Sequence, residues 1–207
     1  MIGAQPNMFL DYKQYTHYQL IEQLLPLLQK DLETYLASGK ETHICAKETE
    51  RIKLGMDENA ARGWYMIPVI RAGRLTEWAY EVPNVAKLAI TLPGIINLTI
   101  NCFQPGYGAA MHSDYDYDMR DSITNSSKCY AVLFGIKVPS NDIRLNGFLL
   151  GNDERVIQQD SIFAFDGSIP HKSWNNTSQS RYTSNMDLDS SFWTVKDATS
   201  LSSNSLK

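Results

Sequence analysis

The chain has 207 residues, of which 43% are hydrophobic and 20% charged, with a formal net charge of −4. That composition supports an ordinary packed core, and the lack of any Lys/Arg run excludes binding driven by phosphate neutralisation, so no nucleic-acid partner is expected. No apolar stretch reaches the length of a membrane span, and the first residues, Met1 to Lys13, lack a basic segment followed by an apolar one, so neither an anchor nor a signal peptide is expected.

The three cysteines, Cys45, Cys102 and Cys129, are odd in number and widely separated. They point to a reducing, cytoplasmic compartment without a disulfide framework. The length fits a single domain over 1–195, mainly helical at 1–94 and strand-rich at 95–195, followed by a flexible Ser-rich tail at 196–207.

Leu20, Leu24, Leu28 and Leu32 recur every four residues, joined by Ile21, Leu25 and Tyr35, and predict an amphipathic helix over 16–36. Thr16 and Gln19 have capping-box spacing, Gly39 suits the exit, and Pro26 predicts a kink or a late start. A second helix is expected from Pro83, with Val85, Leu88, Ala89 and Leu92 on one face and Pro93-Gly94 ending it.

From Ile95 the pattern changes. Ile96, Leu98, Ile100 and Cys102 alternate with Asn97, Thr99, Asn101 and Phe103, as in a strand with two unlike faces. Further strands are expected over 129–138, 147–150, 155–158, 161–165, 172–175 and 181–188, with Gly151-Asn152-Asp153 turning a hairpin. Helices followed by short strands make an α+β pattern, with helices packed on one face of a β-sandwich or barrel. Asn97, Thr99 and Asn101 share one strand face, as do Arg181, Thr183, Asn185 and Asp187, so these polar faces are expected to line an interior cavity.

Four residues carry the chemistry. His112 and Asp114 stand at i and i+2, so an extended segment points both the same way. His171 follows Pro170, which favours an extended approach from another strand. Two neutral imidazoles and one carboxylate form a facial Fe(II) site that leaves positions open for a cosubstrate and O2. Arg181 then offers the planar fork that grips a carboxylate end-on, here that of 2-oxoglutarate. The glycines of Pro105-Gly106-Tyr107-Gly108 are expected to turn the chain toward His112. The acidic, aromatic segment 114–121 reads equally as a lid or a solvated loop, and Arg120 and Arg144 are candidates for a substrate carboxylate.

The block Phe165-Asp166-x-Ser168-x-x-His171-x-x-Trp174, together with Phe103-Gln104-Pro105-Gly106, His112, Gly135-Ile136-Lys137-Val138-Pro139, Arg181 and Asp187, resembles the aspartyl/asparaginyl β-hydroxylase family of Fe(II)/2-oxoglutarate oxygenases. The resemblance runs from about Ile95 to Leu188. It implies a double-stranded β-helix, a jelly-roll of cupin type with the N-terminal helices on one sheet. It also implies iron held by His112 and His171 and 2-oxoglutarate held by Arg181, with Asn101 at the position of a cosubstrate-contacting polar residue.

Two departures qualify it. The animal peptide-hydroxylating members have glycine where this chain has Asp114. The complete triad is similar instead to bacterial relatives such as the proline cis-hydroxylases, which act on free amino acids. An arginine and a histidine that help hold 2-oxoglutarate in the animal enzymes fall at Ala131 and Leu133. The expected activity is therefore hydroxylation of a free or carrier-bound amino acid, a small-molecule substrate, with a peptide or protein side-chain hydroxylase or a non-catalytic cupin-like binding module as the rivals. Asp114 argues against a halogenase, because it fills the place a halide needs.

Overall fold

In a computed structural model, residues 8–40, 63–114, 130–189 and 191–195 are described. Helix α1 spans Tyr18–Ala37 and buries Ile21, Leu24, Leu28, Leu32 and Tyr35 along one stripe. Each fully buried aliphatic side chain of this kind stabilises the fold by roughly 1.5–3 kcal/mol. The helix runs through Pro26, and Gly39 beyond its end has φ +77°, the left-handed conformation that terminates helices. The capping box does not form. His17 is the cap residue without a side-chain bond, and Thr16 Oγ1 instead donates to Thr194 O at 3.0 Å.

The second helix, α2, is shorter than its apolar pattern, spanning Pro83–Ala89 with Pro83 in its first turn. Its own cap residue, Val82, supplies no side-chain bond. The buried carboxylate of Asp31 on α1 does so instead, accepting from Val85 N at 2.9 Å and from Asn84 Nδ2 at 2.6 Å. No helix among the described residues is long and apolar enough to cross a membrane.

Among the described residues ten strands run in chain order: β1 Phe9–Leu10, β2 Trp64–Arg71, β3 Arg74–Leu75, β4 Ile95–Phe103, β5 Tyr130–Lys137, β6 Asn146–Leu150, β7 Asp153–Val156, β8 Ile162–Asp166, β9 His171–Asn175 and β10 Arg181–Leu188. Seven form one sheet in the order β1-β8-β5-β10-β4-β2-β3, and three form a second in the order β7-β6-β9. All the pairings are antiparallel. The β6–β7 hairpin turns on Gly151-Asn152, with Gly151 at φ +57°.

Strands β2 and β3 lie in the part of the chain whose sequence pattern reads as helical. Pro68 interrupts the run Trp64–Arg71, and a proline inside a strand usually argues against one. Here it stands at an irregularity, where the pairing with β4 shifts register between Pro68 and Ile70.

The period-two alternation divides the large sheet into two faces. Leu98, Ile100, Val132, Phe134, Ile136, Tyr182 and Met186 pack on the helices in the main core. Ala131, Leu133 and Phe165 point the opposite way and meet Phe148 and Leu150 of the small sheet. The result is a jelly-roll β-sandwich, with helices covering the outside of the large sheet and the predicted site residues between the two sheets.

Candidate metal centre

The short segment before Asp114 runs beside β9 and lengthens the small sheet. Tyr107 bridges Asn175 and His112 bridges His171. His112 N donates to His171 O at 3.0 Å and His171 N returns the bond to His112 O at 2.8 Å. Gly108 permits this approach, since a Cβ there would meet Ser173 O at 2.0 Å. Backbone pairing therefore brings the two histidines together, with ring centres 4.4 Å apart. Asp114 N donates to Gly167 O at 3.0 Å and fixes the carboxylate beside them.

The ligand atoms of His112, Asp114 and His171 all lie within 4.8 Å of one another. Asp114 Oδ1 is 3.6 Å from His112 Nε2 and 3.4 Å from His171 Nε2. Both distances exceed an ordinary N–H···O bond. Each imidazole is held from behind by a backbone carbonyl: His112 Nδ1 contacts Ala110 O at 2.7 Å and His171 Nδ1 contacts Ile169 O at 2.9 Å. A carbonyl only accepts, so each Nδ1 carries a proton and each ring turns its Nε2 toward Asp114. His171 is 2% exposed and its Nε2 has no hydrogen-bond partner.

Burial pushes the Asp114 carboxyl up, but hydrogen bonds and charge from His112 and His171 pull harder and leave it at about 2. Once both Nε2 atoms are deprotonated, two imidazole nitrogens and one carboxylate converge on one point, as a divalent cation requires.

The turn that delivers His171 explains the Asp-x-Ser spacing. Asp166 Oδ1 accepts from Ser168 N at 2.9 Å and from Ser168 Oγ at 2.6 Å, closing the loop before Pro170. Asp166 and Ser168 build the turn and stand outside the ligand set. Phe148 and Phe165 flank the His171 ring at 5.6 and 5.2 Å.

Arg181 is 0% exposed. Its Nη1 donates to Asn146 Oδ1 at 2.8 Å and to Trp174 O at 2.6 Å, and its Nη2 donates to Ser173 Oγ at 3.0 Å. All three acceptors are neutral, and no carboxylate among the described residues pairs with it. Nε is buried without a partner. Burial pushes the guanidinium down to about 9, which leaves it charged at neutral pH. Because both Nη1 hydrogens and one Nη2 hydrogen are engaged, the donors still unused are Nε and the second Nη2 hydrogen, on the side edge of the fork.

A narrow cavity between the sheets runs from the histidines to Ser173 and Phe103, the two residues of its lining that touch Arg181. Its lining includes Trp64, Asn101, Phe103, Ser173, Thr183 and Asn185. The polar faces of β4 and β10 meet there, Thr183 standing opposite Asn101 and Asn185 opposite Thr99. Farther along, Asn97 Nδ2 bonds Asp187 at 3.0 Å. Arg144 instead lies on the surface, bonded to Asp142, and Arg120 and most of 114–121 lie outside the described residues.

Trp64 and Ser173 line the cavity, and Asn146 and Ser173 hold Arg181, though the sequence pattern does not single these residues out. Ser173 had a usable signal, since it stands two residues after His171 on the same strand face. Asn146 had none.

Among solved structures, the chain is similar to the cupin domain of a transcriptional regulator from Enterobacter cloacae, at 12% identity and a TM-score of 0.39, over 61% of this chain and 97% of that one. A predicted oxalate decarboxylase from Thermotoga maritima matches at 10% identity and a TM-score of 0.38, over 61% and 80%. A variant of salicylate 1,2-dioxygenase from Pseudoaminobacter salicylatoxidans, in complex with gentisate, matches at 9% identity and a TM-score of 0.38, over 68% of this chain and 29% of that one. No curated protein matches the chain in sequence. The family model for aspartyl/asparaginyl β-hydroxylase matches residues 22–190, extending the likeness from the strands back into α1, and the chain belongs to that hydroxylase family.

Proposed function

We propose that the protein is an Fe(II)- and 2-oxoglutarate-dependent hydroxylase that acts on a free or carrier-bound amino acid. The observation that carries this reading is the convergence of one ligand atom each from His112, Asp114 and His171, all within 4.8 Å of one another. Two of the buried polar atoms left without a partner, His171 Nε2 and Arg181 Nε, belong to the two groups that iron and a cosubstrate carboxylate would engage. The residues therefore fit both groups.

In this reading His112 and His171 hold the ion through Nε2, and Asp114 holds it through an anionic oxygen that offsets one of its charges. With 2-oxoglutarate and O2, bound iron supplies the oxidising chemistry, one oxygen atom leaving in succinate and the other entering the substrate C–H bond. Arg181 supplies the cation for the distal carboxylate, and its neutral partners leave that charge unspent. Phe148 and Phe165 wall His171 from water. The substrate class rests on the complete triad, which differs from the glycine-bearing peptide hydroxylases.

The test is succinate formation with Fe(II), 2-oxoglutarate and O2 across a panel of free amino acids, with mass spectrometry of the products. A substrate-dependent gain of one oxygen atom is expected. Absence of both iron binding and 2-oxoglutarate turnover would remove the proposal and leave a binding module.

A further inference from the structure

Trp64, Phe103 and Arg181 form one row across three strands, Trp64 pairing with Phe103 and Phe103 with Arg181. The Trp64 and Phe103 rings stack at 5.1 Å and 28°, and the guanidinium carbon lies 4.8 Å from the Phe103 ring centre. From this row the Trp64 indole reaches the next one, where Nε1 donates to Asn101 Oδ1 at 2.9 Å. An indole N–H can only donate, so its partner must be the carboxamide oxygen. The chemistry of Trp64 therefore fixes which way the Asn101 amide is turned.

Asn101 is 3% exposed and lines the cavity. Its Nδ2 is not among the buried polar atoms sealed off without a partner, and no acceptor for it stands among the described residues. Diagonal neighbours across a strand pair are within reach of long side chains, and Asn101 and Arg181 stand in that relation. Ser173 Oγ accepts from Arg181, so its own proton is free to be donated.

We propose that Trp64 is a positioning residue that turns the Asn101 carboxamide so that its NH2 group faces the cavity and donates to the carboxylate of bound 2-oxoglutarate. Arg181, Ser173 and Asn101 then offer donors together. An anionic acceptor satisfies all three, whereas an ammonium group meets only like polarity. The inference rests on the proposed 2-oxoglutarate dependence and adds the residue that sets the polarity of this wall.

The experiment is calorimetric titration of the Mn(II)-loaded full chain with 2-oxoglutarate. Trp64→Phe keeps the stacked ring and removes the N–H, while Asn101→Ser removes the amide that Trp64 orients. Each is expected to weaken binding roughly tenfold. The double variant is expected to bind as Asn101→Ser does, within about twofold, because no amide remains to be turned. At saturating 2-oxoglutarate, kcat of Trp64→Phe should stay within about twofold of wild type, with the change confined to the cosubstrate KM. Wild-type affinity in Trp64→Phe, or losses that multiply in the double variant, would overturn the assignment. Failure of the wild-type protein to bind 2-oxoglutarate sinks the functional proposal itself, a separate outcome. If Trp64→Phe does not fold, the Asn101 side-chain NH2 resonances of the wild-type protein serve instead. They should shift on addition of 2-oxoglutarate, and unmoved resonances overturn the proposal.

Discussion

Gly167 and Asp114 are fitted to each other: a Cβ at Gly167 would stand 2.5 Å from Asp114 Oδ2. The glycine is needed for close approach, and the same residue holds Asp114 through its carbonyl. Gly167→Ala is therefore expected to push the carboxylate away from the histidines while leaving the fold intact. Iron affinity should fall roughly tenfold or more, the range seen when groups supporting metal ligands are lost. Equilibrium binding of Fe(II) or Mn(II), beside a thermal melt, checks both halves. A variant with unchanged metal affinity would mean that Asp114 does not need this position.

Removing the carboxylate itself should be more severe. Asp114→Ala leaves two imidazoles and no charge to offset the ion, and metal affinity should fall by more than about 100-fold, with succinate formation following it. Because Asp114 sits at the mouth of the triad rather than in the helix-facing core, the apo-protein should melt close to wild type. Full turnover in this variant would remove Asp114 from the ligand set.

Arg181→Lys keeps a charge but loses the fork that reaches Asn146, Trp174 and Ser173 together. Loss of a charge-assisted bond costs about 1.5–3 kcal/mol, so 2-oxoglutarate should bind roughly 10- to 100-fold more weakly. Wild-type protein held at about 100 times Kd should gain about 2.7 kcal/mol of stability from the cosubstrate. The lysine variant at the same concentration should lose most of that gain while its metal affinity stays near wild type. Thermal shift with and without 2-oxoglutarate separates the two effects.

These residues differ in how far the sequence announced them. His112 and Asp114 were legible because i and i+2 share a face on any extended segment, and Arg181 because its residue type matches a carboxylate. The cavity walls were legible because β4 and β10 alternate strictly, so that Asn101 and Thr183 had to face the same side. Strand β2 was hidden by Pro68, and Trp64 with it. Thr16 reads as a helix cap by local spacing, but its hydroxyl bonds Thr194, a partner that no local window contains. The edge on which Arg181 remains available was invisible for the same reason, since Asn146, Ser173 and Trp174 reach it only after the two sheets have closed.

Asp31 shows how the helical layer is held independently of the site. Its carboxylate, 3% exposed on α1, takes the place of a cap for α2 by accepting from Val85 N and Asn84 Nδ2. Substituting a capping oxygen costs about 0.5–2 kcal/mol, and burial puts Asp31→Ala at the upper end because Val85 N loses its partner. For a domain of this size each kcal/mol lowers Tm by roughly 2–4 °C, so a fall of about 4–8 °C is expected. The helices cover the outer face of the large sheet, whereas His112, Asp114, His171 and Arg181 lie away from them. Metal and 2-oxoglutarate affinities below the melting range should therefore be unchanged within about twofold. A variant that melts normally but binds the cosubstrate poorly would show that the α1–α2 contact governs the site rather than the scaffold.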